Sequence, residues 1–287
     1  MPSNTEGYDA VKGTRPFTDW NVVTTRANDP RSNYHAIGFD VNKRLSNGLA
    51  LNASYTLAHH KSDASGAVPT SFAAENGATT LDLFRGDSDY GNVAYTRRHR
   101  FVSTFLYELP FGRNRHFGGD ISRGLDMLVG GWDVTGVTLL QSGPFLTPFF
   151  SNGDPSGTGS TVRGFTATQR PDQAANGTLS NPSVDAYFDK AAFVKPADNI
   201  GRFGNAGVGT LVGPGTSVFS MTLGKSFATG GVTRLRFEMA FSNLFNIENL
   251  ATPNMNITSS SFGRVTDTQK VDQAGPRTVQ FSLRYTW

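Results

Sequence analysis

Five histidines, one basic cluster, one glycine-rich hexapeptide and one pair of aspartates are the side chains in this 287-residue sequence that could carry chemistry. His35, His59, His60, His99 and His116 are potential metal ligands. His59 and His60 are adjacent, so on a strand they point to opposite faces and cannot share one ion without a bulge. The five are therefore read as polar residues of loops and strand rims. Arg97-Arg98-His99-Arg100 could grip phosphate groups through paired guanidinium contacts. The plainer reading lines a polar interior with them and pairs Arg98 and Arg100 with carboxylates of neighbouring strands. Gly204-Asn205-Ala206-Gly207-Val208-Gly209 lacks the dinucleotide spacing and the strand–turn–helix setting, and is read as a loop tip. Asp87 and Asp89 are read as solvated charge. The sequence contains no Gly-x-Ser-x-Gly, zinc-protease or Walker motif and no cysteine. The expectation is a chain with no catalytic residue, no cofactor and no metal site, and hence not an enzyme.

Composition restricts the elements that could hold these residues. Charged residues are only 17% and the net charge is +3, too small and too dispersed for a nucleic-acid partner. Thirty-two Gly and 14 Pro disfavour a helical fold. The first residues, Met1-Pro2-Ser3-Asn4-Thr5-Glu6, show no basic and apolar leader, so no signal peptide is expected within the chain. No apolar run reaches the 18 residues of a membrane-spanning helix.

The dominant pattern is an alternation of period two. From Arg277 to Trp287, Val279, Phe281, Leu283, Tyr285 and Trp287 alternate with Thr278, Gln280, Ser282, Arg284 and Thr286. A strand places these sets on opposite faces, one aromatic and apolar, one polar. The same parity recurs in Leu235–Phe241, Phe219–Phe227, Phe101–Leu109, Leu49–Leu57 and Ile37–Val41. Strands are expected near 18–26, 33–45, 49–60, 97–109, 131–142, 216–227, 232–243 and 277–287. In 131–141 the apolar residues Trp132, Val134, Val137 and Leu139 change parity, which suggests a bulge. Ser46-Asn47-Gly48 and Ala228-Thr229-Gly230-Gly231 read as tight turns. Long polar segments fill about 61–96, 143–215 and 247–276. A short helix is expected over Val184–Phe193, capped by Asn181-Pro182-Ser183.

Two architectures share this alternation: a soluble sandwich, with apolar faces packed inward, and a membrane barrel, with apolar faces toward lipid. Strands of 10–12 residues, aromatics near their ends (Tyr107, Trp132, Tyr285, Trp287) and short turns opposite long loops favour the barrel. The segment 110–130 is long for the short-turn side. A secreted β-sandwich that binds glycans through loop aromatics is the alternative.

The run Phe281-Ser282-Leu283-Arg284-Tyr285-Thr286-Trp287 resembles the C-terminal signal read by the outer-membrane barrel-assembly machinery. The chain as a whole resembles the C-terminal part of Oar-like TonB-dependent receptors, of the acidobacterial, carboxypeptidase-regulatory-like type. The matching stretches include Ser32–Ala36, Asn47–Thr56, Arg97–Phe101, Tyr107–Gly112, Gly131–Val134, Gln141–Phe145, Phe203–Gly207, Asn243-Leu244-Phe245-Asn246 and Phe262-Gly263-Arg264. The resemblance implies an all-β, antiparallel, up-and-down barrel segment of about eight strands over residues 1–287, with long extracellular loops. It implies a bacterial outer-membrane location and a part in nutrient import. Val279, Phe281, Leu283, Tyr285 and Trp287 would form the assembly signal, and Arg97, Arg98 and Arg100 a rim or lumen cluster that could meet lipopolysaccharide. The implied partners are outer-membrane lipid and lipopolysaccharide, the assembly machinery, and the remainder of the receptor barrel with its plug. The plug and energy-coupling segment of such receptors find no counterpart here, so the chain is expected to be a fragment.

Overall fold

The computed structural model describes residues 29–64, 82, 86–157, 169–230, 233–270 and 272–287. The strand expected near 18–26 lies outside them. Among the described residues seven long strands form: β1 Ser32–Ser46, β2 Leu49–Ser62, β3 His99–Glu108, β4 Trp132–Gln141, β5 Thr216–Gly230, β6 Thr233–Ser242 and β7 Thr278–Thr286. They pair in strict sequence order as one antiparallel meander, and Gly91–Asn92 adds a two-residue strand beside β2. Among the described residues β1 and β7 do not pair with each other, so the sheet is open at both edges.

The strand lengths, nine to fifteen residues, reach or exceed the 9–11 that cross a bilayer when tilted. The turn between β1 and β2 has Asn47 at φ 51° and Gly48 at φ 77°. Both positive values belong to the primed turn whose twist matches a hairpin. At this end lie the turn 47–48, the connection from β5 to β6, and the β3–β4 segment. All the long loops (β2–β3, β4–β5 and β6–β7) emerge at the opposite end.

Those loops fold together. Leu146, Phe150, Phe188, Ala192, Phe193 and Leu211 from the β4–β5 loop bury against Met255, Ile257 and Phe262 from the β6–β7 loop. Burying a large apolar side chain contributes about 1.5–3 kcal/mol. Among the described residues the largest buried apolar cluster is in this loop cap, while both edge strands are exposed along almost their whole length.

Two local expectations are corrected. β4 keeps an unbroken register with β3 and with β5, so it has no bulge. Val137 and Leu139 simply lie on the polar face, where Leu139 packs with Val218, Ala274 and Val102. No α-helix forms over Val184–Phe193. Asp189 caps a three-residue 3-10 turn, Lys190–Ala192, and Phe188 and Phe193 turn into the cap core instead. Among the described residues an α-helix forms instead at α1 Arg123–Val129, in the β3–β4 segment, with Ser122 as its N-cap.

Candidate functional site

Register assigns each strand residue to a face, because directly opposed residues in an antiparallel pair project to the same side. From β7 inward, Tyr285, Leu283, Phe281 and Val279 oppose Leu235, Phe237, Met239 and Phe241. These oppose Phe227, Lys225, Leu223 and Met221, and the row continues through Val134 and Trp132 to Tyr107 and Phe105. Leu49, Leu51, Tyr55 and Leu57, then Phe39 and Ile37, complete it. One continuous face is thus apolar across seven strands. At its β7 edge this face is open, with Phe281 63% and Leu283 67% exposed, and on the inner strands it is half-buried. Tyr285 stacks on Trp287 at the short-turn end, where Tyr107, Trp132 and Phe227 also lie. Lys43, His35, His59, His99 and Lys225 interrupt this face; the Lys225 ammonium sits between the rings of Trp132 and Phe227 and donates to the carbonyl of Gly130.

The opposite face is polar and cross-linked. Arg236 holds Asp133 at 2.7 and 2.9 Å and Glu238 at 2.7 Å, and Ser282 donates to Glu238. At the loop end this face is covered. Thr216 donates to Gln269 Oε1 at 2.7 Å, Ser220 donates to Gln273, and Asn249 accepts from the Ser217 amide. The β6–β7 loop therefore folds back over the polar side of β5. Asn243, fully buried at φ 49°, fastens the base of that loop. Its Nδ2 donates to the carbonyls of Ile247 and Gly275, and its Oδ1 accepts from Ile247 N.

The cap has its own polar fasteners. Arg170 is 2% exposed and donates to Asp89 Oδ1 at 2.6 Å, to Ser88 O and to Ala206 O, joining the β2–β3 and β4–β5 loops. Asp89 is accordingly a buried ion-pair partner, not solvated charge, whereas Asp87 stays exposed. The hexapeptide Gly204–Gly209 is not a loop tip either. Ala206 and Val208 are buried, and Gly204 packs its backbone on that of Arg170 and Pro171. Asp172 binds Arg202 in a two-toothed pair at 2.7 and 2.6 Å, and this contact holds its carboxyl below the usual carboxylate pKa.

Where the three long loops meet lies a cleft of about 270 Å³ lined by Arg97, Pro144, Pro214, Leu250, Gln269 and Lys270 among others. Lys270 is paired with Asp267. Arg97 donates to the Ala94 carbonyl, and burial lowers its pKa against the opposing charge of Asp272. A second, more open cleft of about 550 Å³ lies along Gln173–Asn176 and Asn205.

The basic cluster does not act as a unit. Arg97 lines the cleft, Arg98 lies over the ring of Phe145 at 5.4 Å, and Arg100 stands exposed on the polar face opposite Thr56 and Gln141. Among the described residues none of the three is in an ion pair, so the pairing expected for Arg98 and Arg100 is absent. His59 and His60 do point to opposite faces. His59 opposes His35 on the apolar side, while His60 bridges Ser32 and Thr96 on the other. No group of three or more metal-ligating side chains occurs among the described residues.

Sequence reasoning overlooked Arg170 and the loop residues Gln269 and Gln273, and gave Asn243 no role. The aromatics scattered through the polar segments (Phe149, Phe150, Phe188, Phe193, Phe262) were the available sign that those loops fold. A family model described as an outer membrane beta barrel domain matches residues 2–280. No curated protein and no solved structure matches the chain.

Proposed function

We propose that this chain, which belongs to the outer membrane beta barrel domain family, supplies the wall and ligand-capturing cap of a TonB-dependent receptor in a bacterial outer membrane. The observation that carries the reading is the asymmetry of the sheet. One face is a continuous apolar band, and the other is a polar surface roofed at one end by loops with a core of their own. A barrel needs the first face against lipid and the second toward its lumen. The roof gives a surface on which a ligand can be held before it enters. The clefts beside Arg97 and beside Asn205 are the places for such contact. In receptors of this kind a plug domain inside the barrel carries the energy coupling, and this chain would contribute the wall around it. A soluble glycan-binding sandwich fits less well, because among the described residues no second sheet covers the apolar faces of β1 and β7.

The test is a photocrosslinker placed at Ser282 or Thr222, both on the polar face, in the gene expressed in its own host. Crosslinks from these positions to a plug domain support the receptor reading. An uncrosslinked lumen that conducts freely in planar bilayers overturns it in favour of an open pore. A water-soluble product that binds a glycan array overturns it in favour of the sandwich.

A further inference from the structure

The β3–β4 segment is long for the short-turn side, and the wall does not need it. Its helix α1 presents Leu125, Leu128 and Val129 at i, i+3 and i+4, hence on one side, and Met127 beside them. Leu128 is 70% and Met127 62% exposed. Nearby, Phe111 and Phe117 pair at 5.6 Å and are both exposed. Water is a poor neighbour for so concentrated an apolar group.

The position of α1 shows what covers it. Its C-terminal end is fastened to two side chains of the lipid-facing row: Trp132 Nε1 donates to Leu128 O at 2.9 Å, and Lys225 Nζ donates to Gly130 O. Both anchors belong to the aromatic belt of the apolar face, so the exposed side of α1 continues that band at its short-turn rim. A cation at a helix C-terminus is also favourable in itself. Lys225 donates to backbone carbonyls of the helix end with its ammonium set between two aromatic rings, which joins α1 to the wall.

We propose that α1, with Phe111 and Phe117, is an interfacial membrane element that seats on phospholipid in the periplasmic leaflet and fixes the depth of the wall. The inference rests on the barrel reading of the sheet. A short helix with an apolar side binds at the headgroup–acyl boundary through its buried area and does not span.

The absence of cysteine makes the test direct. Single variants Leu128→Cys and Met127→Cys, with Asp120→Cys as the water reference and Leu283→Cys as the wall reference, are labelled with an environment-sensitive dye. The full chain is then reconstituted in phosphatidylethanolamine–phosphatidylglycerol vesicles. Labels at 127 and 128 should be quenched by shallow nitroxide lipids and be at least threefold less sensitive to iodide than the label at 120. Lipid quenching at 283 with none at 127 and 128 overturns the helix proposal and leaves the wall intact. Loss of lipid quenching at all three positions overturns both. Shielding of 127 and 128 from lipid and iodide alike overturns it in favour of a protein partner.

Discussion

Arg236 on β6 reaches across β5 to Asp133 on β4, and the pair closes directly over Gly224. A Cβ at position 224 would overlap Arg236 Nη2 and crowd Asp133 Oδ2, so only glycine leaves the path open. The ion pair thus ties β4 to β6 on the polar face without passing through the strand between them.

Gly224→Val should therefore break the bridge while leaving the apolar face untouched. The pair is partly solvated, so the loss is about 1–2 kcal/mol. Urea unfolding in detergent or vesicles should show it. Asp133→Ala should cost a similar amount, and combining the two changes should cost little more than either alone, because both remove one interaction.

Asp89→Ala leaves the Arg170 guanidinium buried without its carboxylate. Breaking a buried pair in this way costs about 3–5 kcal/mol. Hydrogen exchange should accelerate in 86–92 and 169–208, which the pair joins, and stay slow in β4 to β6. Uniform acceleration through the sheet would show that cap and wall unfold as one unit.

Acid should loosen the cap at Asp172. Its folded pKa is depressed, mainly by the bonds from Arg202. The stability this gives is fully present above the ordinary carboxylate pKa and is lost as pH falls through the depressed value. Protection of the Gln173 and Asn205 amides, which hang on this cluster, should persist at pH 5 and fail only below about pH 4. Asp172→Asn should remove that dependence.

The wall was legible in the sequence because a sheet with two different faces writes itself as period two. Leu283 and Arg284 could be assigned to opposite sides from parity alone. Parity misled at Val137 and Leu139, where apolar residues lie on the polar face to pack with Ala274, a contact made through a distant loop. The cap was not legible. Phe150, Phe193, Met255 and Phe262 come together from separate irregular segments, and nothing periodic links them. The helix expected at Val184–Phe193 failed for the same reason, since Phe188 and Phe193 serve that core. α1 is seven residues long and too short to show a period. The fastener Asn243 lay within a recognisable motif, but its role depends on Gly275, which is remote in sequence.

The exposed edge of β7 with its terminal aromatics should govern insertion. Trp287→Ala or Tyr285→Ala should reduce the fraction of molecules that reach the outer membrane, read as heat-modifiable mobility after fractionation. Leu283→Arg should do worse, since a cation on the lipid face near mid-bilayer costs about 2–4 kcal/mol. None of the three should weaken ligand binding in molecules that do assemble, because these side chains lie on the face opposite the cap and the lumen. Normal insertion of all three would remove β7 from the assembly role.

The apolar face is expected against lipid and the polar face toward the lumen. A spin-label scan from Arg234 to Phe241 in vesicles tests it most directly, one cysteine at a time. Labels at Leu235, Phe237, Met239 and Phe241 should be relaxed by oxygen and not by a water-soluble nickel chelate. Labels at Arg234, Glu238 and Ala240 should show the reverse. An alternation of the opposite sign, or no alternation, would contradict the account.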